Sequence, residues 1–169
     1  MPNGASNIVM GIDPGLSATG WAVIAQDGDH SRLIACGTVR TKATDDLSAR
    51  LLAICEHIRN IVREHGPVDV AVEDVFMAKD ARAAFALGQA RGAAIIGASQ
   101  AGCPVTSYTA LQVKKSVTGN GQAAKEQVGF MVQHLLALTE AIHPDHAADA
   151  AAVALCHLMK VGTGERVIR

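Results

Sequence analysis

Ile8-Val9-Met10-Gly11-Ile12-Asp13-Pro14-Gly15 is an apolar run that stops at a carboxylate followed at once by two turn residues. Pro14 and Gly15 break a strand, which predicts Asp13 at the carboxyl end of a buried one. In open α/β sheets that end is where ligands bind. An isolated Asp-Pro-Gly would be no more than a turn cap. A second segment built the same way changes the reading: Val68-Asp69-Val70-Ala71-Val72-Glu73 is again a β-branched run that ends in an acid. Sixty positions separate Asp13 from Glu73, room for a hairpin and a crossover helix. If the two strands are parallel neighbours, their terminal carboxylates meet.

Working outward, residues 19–26 form a second strand, Asp27-Gly28 supplies a hairpin turn, and residues 31–40 return as a third strand. Leu47, Leu51, Ile54, Ile58 and Ile61 recur at three- and four-residue intervals, predicting a crossover helix over 45–64 that Gly66-Pro67 ends. After the Glu73 strand and an irregular stretch through Lys79 comes an Ala/Gly-rich helix over 81–101. A short strand at 104–107, a short helix capped by Thr109, a Thr118-Gly119-Asn120-Gly121 loop and helices over 125–138 and 146–160 complete the chain. Strands first, then strands alternating with helices, predict an α/β fold with a mixed five-stranded sheet flanked by helices. Residues 1–161 read as one domain and 162–169 as a disordered tail.

At 169 residues, 49% hydrophobic and 18% charged, the chain holds one ordinary domain with little room for a second. Its net charge of -1 excludes nothing about nucleic acid, because a local basic face binds phosphate on a neutral protein. Cys36, Cys55, Cys103 and Cys156 have neither Cys-x-x-Cys nor zinc-finger spacing and read as reduced packing residues. No signal-peptide pattern and no apolar run near the roughly 18 residues of a membrane span is present. A cytoplasmic protein without membrane contact is expected.

The last helix adds a third piece. His146 and Asp149 are three apart and so share a face, and the alanines around them let a helix come close to whatever it packs on. Asp145 reads as a helix cap. An Asp inside so alanine-rich a helix is hard to assign to packing. Three convergent carboxylates raise one another's pKa unless a cation sits among them, so Asp13, Glu73 and Asp149 together point to a divalent metal.

These residues lie in longer runs. Gly11-Ile12-Asp13-Pro14-Gly15, Val72-Glu73-Asp74-Val75-Phe76-Met77-Ala78-Lys79, Leu87-Gly88-Gln89-Ala90-Arg91-Gly92, Val113-Lys114-Lys115, Thr118-Gly119-Asn120-Gly121 and Ala147-Ala148-Asp149-Ala150 strongly resemble the RuvC family of Holliday junction resolvases. The resemblance runs from the first strand to the last helix. It implies a ribonuclease-H-like fold, a homodimer, and metal-dependent cutting of two opposed strands at a four-way DNA junction, in recombination and repair. It implies that Asp13, Glu73 and Asp149 fill catalytic, metal-holding positions, and it brings the branch-migration complex RuvA-RuvB as a partner. The family commonly has Asp where this chain has His146, a departure that looks tolerated. His146 is then a fourth catalytic residue, either a metal ligand or a proton-transfer group.

Hydrolysis of a phosphodiester by this set implies two divalent ions per subunit, magnesium or manganese. Exchanging a carboxylate for an imidazole favours manganese and predicts loss of activity as pH falls through the histidine range near about 6.5. From residue 76 to 127 the cations Lys79, Arg82, Arg91, Lys114, Lys115 and Lys125 face only Asp80 and Glu126, a local surplus of positive charge suited to DNA. Lys114 and Lys125 match phosphate-contacting positions of the family, whereas Lys79, Arg82 and Lys115 read individually as a solvated basic face. Phe76 is core by spacing, and the resemblance shifts it toward a junction wedge with Met77 as its neighbour. Two other readings compete. One is a module that grips branched DNA without cutting. The other is a phosphotransferase, because Asp13-Pro14-Gly15 with Thr19-Gly20 resembles the first phosphate loop of actin-like kinases, although the second Asp-x-Gly loop and second domain of that group are absent.

Overall fold

A computed structural model describes residues 7–75 and 80–164. Its sheet is built from β1 (Asn7–Asp13), β2 (Ala18–Asp27), β3 (His30–Arg40), β4 (Asp69–Glu73) and β5 (Val105–Tyr108), in the order β3-β2-β1-β4-β5. The first three strands form an antiparallel meander, and β1, β4 and β5 run parallel. β1 is therefore central. Ile12 pairs with Val72, so the next residues along the two strands are Asp13 and Glu73. The mixed five-stranded sheet and the two acids on neighbouring parallel strand ends agree with the sequence reading.

Strand alternation divides the core. Met10, Ile12, Val23, Val70 and Val72 face α1 (Leu47–His65) and α2 (Ala81–Gln100). α1 presents Ile54, Ile58, Ile61 and Val62 as one stripe and ends at Gly66, whose left-handed backbone donates its N–H to the Val62 carbonyl. The small residues of α2 pack inside the chain: Ala90, Ala93, Ala94, Gly97 and Ala98 are buried, and a Cβ on Gly97 would strike the Cys55 carbonyl of α1. Val9, Ala22, Ile24 and Ala71 face the other layer, made of α3 (Ala110–Thr118), α4 (Lys125–Leu135) and α5 (Asp145–Gly162).

α5 lies on the sheet without any side chain between them at two points. A Cβ on Gly11 would overlap the Ala150 carbonyl oxygen and stand 2.7 Å from the Ala154 nitrogen; one on Gly20 would overlap the His146 carbonyl oxygen. His146, Ala150 and Ala154 are spaced by four and form one stripe, so α5 rides in a groove cut by two glycines.

Some boundaries differ from the sequence reading. α4 stops at Leu135 rather than 138, because Leu136 caps it and Ala137 turns to a positive φ of 50°. Asp145 is not the cap but the first residue of α5, with Pro144 before it. α5 continues to Gly162, into the expected tail, and residues 165–169 lie outside the described residues. Among the described residues no helix is long and apolar enough to cross a membrane.

Gly11→Ala should force α5 off the sheet and cost about 2–3 kcal/mol, measured by urea unfolding. A variant as stable as wild type would show that the groove has slack.

Candidate active site

Asp13 belongs to the same face of β1 as Val9 and Gly11, the face that α5 covers. The glycine groove fixes the height of α5, and this brings its first turns onto the tip of β1. His146 Nδ1 lies 2.8 Å from Asp13 Oδ2. One ligand atom each from Asp13, His146 and Asp149 lies within 4.8 Å of the others. Glu73 lines the same cleft, beside Asp13 on one side and Asp149 on the other. All four acid and imidazole residues read from the sequence therefore meet in one place.

Burial sets their electrostatics. Glu73 is pushed up from 4.5 to about 7, first by loss of water and then by the negative charges of Asp13 and Asp149. Near neutral pH it therefore takes up a proton far more readily than an ordinary carboxylate. Burial also raises Asp13, against the opposing effect of the His146 contact. The donor set is hard oxygen plus one nitrogen, partly desolvated and short of positive charge, which fits a divalent cation.

The cations divide. Lys125 Nζ lies 3.1 Å from Asp149 Oδ2 and 3.5 Å from Asp145 Oδ2, and these contacts, Asp149 foremost, raise its pKa. Lys114 lines the cleft with Glu73, Lys125 and Asp149 and acts to lower the pKa of Glu73. Lys115 faces a separate groove beside Met159 and Lys160. Arg82 is exposed in the first turn of α2. Arg91 is turned inward, its Nη2 2.6 Å from Ser107 Oγ and 3.4 Å from Asp74 Oδ1. Phe76, Met77 and Lys79 lie outside the described residues.

Sequence reading missed a buried polar group beneath the cleft. Tyr108 Oη and His157 Nδ1 are 2.9 Å apart, and His157 Nε2 is 3.7 Å from Asp69 Oδ2. The available signal was a charged residue, Asp69, inside a β-branched run.

A family model described as crossover junction endodeoxyribonuclease RuvC matches residues 9–157. The RuvC of Pelotomaculum thermopropionicum is 43% identical over 150 residues, covering 89% of this chain and 92% of its own. The structure of Thermus thermophilus RuvC superposes with a TM-score of 0.89 at 36% identity, covering 95% of this chain and 98% of that one. RuvC from the same organism in complex with a Holliday junction substrate gives 0.88 at 37% identity, over 93% and 96% of the two chains. With a matching family model over most of its length and relatives this similar, the chain belongs to the RuvC family of crossover junction endodeoxyribonucleases.

Proposed function

We propose that the chain resolves four-way DNA junctions by hydrolysing a phosphodiester in each of two opposed strands, with Asp13, Glu73, His146 and Asp149 as its catalytic set. The observation that carries this is the convergence of Asp13, His146 and Asp149 donor atoms within 4.8 Å, with Glu73 lining the same cleft. The relative captured in complex with a Holliday junction substrate supports the choice of DNA. Two subunits are expected, because two equivalent cuts call for two equivalent sites. Kinship suggests the branch-migration complex RuvA-RuvB as the partner.

Asp13, Glu73, Asp149 and His146 would hold two divalent ions. When bound, the ions stabilise the negative charge that builds on phosphate and leaving oxygen. The chain's own residues do the rest. Any protonated share of Glu73 or Asp13 has to give up its proton before that carboxyl can serve as a ligand. With Nδ1 held by Asp13, His146 keeps Nε2 for a cation or for the proton of the attacking water. Lys125 neutralises Asp149 in the absence of metal and becomes available for phosphate once the carboxylates have other partners. Lys114 lies on the same wall. Lys115 and Arg82, farther out, would add only general attraction. Phe76 and Met77 are proposed as the wedge at the junction centre, with Lys79 beside them.

A labelled synthetic four-way junction and a matching linear duplex, incubated with manganese, magnesium or chelator, test this reading. Paired cuts in the junction alone, faster in manganese and absent in chelator, are expected. Asp13→Asn should abolish cutting, by about 10³-fold or more, while leaving junction binding in calcium intact. Binding without cutting by the wild-type chain in either metal would favour the non-cutting module.

Lys125→Ala should lower the slope of log affinity for the junction against log salt by roughly one. An unchanged slope would leave Lys125 with its intramolecular role alone.

Because the folded-state pKa of Glu73 lies above 4.5, its protonated carboxyl stabilises the metal-free fold fully below pH 4.5, and that contribution is lost as pH rises to about 7. The metal-free Tm should fall across this window, and Glu73→Gln should flatten the fall. Manganese affinity, measured by calorimetry, should weaken in the opposite direction, as pH drops from about 8 to about 6.

A further inference from the structure

The chain leaves β4 immediately after Glu73, and Asp74 makes the turn. Its N–H continues the ladder to the Tyr108 carbonyl at 2.7 Å, and its Oδ1 accepts the Val75 N–H at 2.9 Å. The same Oδ1 receives Arg91 Nη2 at 3.4 Å, while that nitrogen donates to Ser107 Oγ of β5 at 2.6 Å. Arg91 belongs to α2, on the face of the sheet opposite α5, and Leu87 one turn before it lines the cleft with Asp13, Glu73, Asp74 and Val75. The guanidinium is mostly covered: its side chain is 22% exposed, and its Nε is buried without a hydrogen-bond partner. A long cation so placed commits its Nη2 to Ser107 and Asp74. It is suited to holding a turn.

We infer that Arg91 is a positioning residue for the proposed nuclease reaction: it clamps Asp74 against Ser107 and so fixes the strand tip that carries Glu73. This rests on the nuclease reading above. A misplacement of Glu73 by a fraction of its contact distance to Asp13 is enough to impair cation binding or alignment of the scissile bond. The function of the clamp is separable from DNA affinity, because none of its three members needs to touch DNA.

The test compares wild type, Arg91→Met, Asp74→Asn and the double variant on a synthetic four-way junction. Each is measured for Tm, for the salt dependence of junction binding in calcium, and for single-turnover cutting at saturating protein in manganese, well below every Tm. Arg91→Met should cut about 10- to 100-fold more slowly, with binding affinity and salt slope as in wild type. Asp74→Asn keeps an acceptor for the Val75 N–H and weakens only the ion pair, so it should fold normally and lose rate by a smaller factor. The double variant should be no slower than Arg91→Met, since both changes release the same clamp. If Arg91→Met fails to fold, the rate of Asp74→Asn decides: a loss supports the clamp and a wild-type rate overturns it. A salt slope lowered by roughly one, with full cutting at saturation, would make Arg91 a phosphate contact. Full rate and full affinity in both single variants would make the clamp ornamental. A wild-type chain that leaves the junction whole would overturn the nuclease reading and the inference with it.

Discussion

The structure depends on the contact between the backbone of α5 and the backbones of β1 and β2 at Gly11 and Gly20. Carboxylate and imidazole side chains are short, and donors from a strand tip and a helix reach one another only if the two backbones nearly touch. Any side chain at either glycine would overlap the Ala150 or His146 carbonyl. The same closeness makes α5 buried almost throughout from Ala150 to Leu158, where alanine supplies the thinnest covering that a helix can carry. Packing and chemistry are thus one constraint: the alanines that fill the core are those that let His146 and Asp149 arrive at Asp13.

That arrangement runs against the fold's own electrostatics. Three carboxylates share a partly dry cleft, and the polypeptide relieves the repulsion in three ways: Glu73 takes up a proton more readily than an ordinary carboxylate, His146 bonds to Asp13, and Lys125 reaches across to Asp149. Each of the three is reversible. A proton leaves at higher pH, an imidazole turns from one oxygen to another partner, and an exposed lysine swings away at little cost. A permanently buried ion pair would have stabilised the same charges and closed the site to a cation.

Much of this was legible from residues. The two runs ending in Asp13 and Glu73 predicted their strands, and parallel neighbours followed once the helix between them was read from Ile54, Ile58 and Ile61. Asp149 stood out because alanines surround it. What was hidden depended on three-dimensional contact. Nothing in the local pattern distinguishes Gly11 inside a strand from a glycine at a bulge, and its meaning appears only with α5 above it. Arg91 counts as a surplus cation in sequence, yet Ser107 and Asp74 come to it from β5 and the end of β4. The end of α4 was misjudged because Leu136 and Leu138 continue the apolar rhythm, while the backbone turns at Ala137 to let the chain reach α5.

Alanine-rich helices raise a problem that the buried polar group answers. Alanines index a helix only weakly along a sheet, so the lengthwise register of α5 rests on its larger buried residues, Val153, Leu155 and Leu158, and on its polar contacts; the error to exclude is a slip by one turn, about 5.4 Å. Such a slip would carry His146 and Asp149 away from Asp13 altogether. The glycine groove sets how closely α5 approaches but tolerates any small residue passing over it. His157 does not: it is 2% exposed, and its Nδ1 meets the Tyr108 hydroxyl at 2.9 Å, with Asp69 on its other nitrogen. Moving the helix by a turn would break the buried hydrogen bond between His157 and Tyr108, a costly loss inside the core. Tyr108 pairs with Glu73 in the β4–β5 ladder. The helix that supplies half of the cleft is therefore hydrogen-bonded, through His157 and Tyr108, to the strand position paired with the one that bears the second acid.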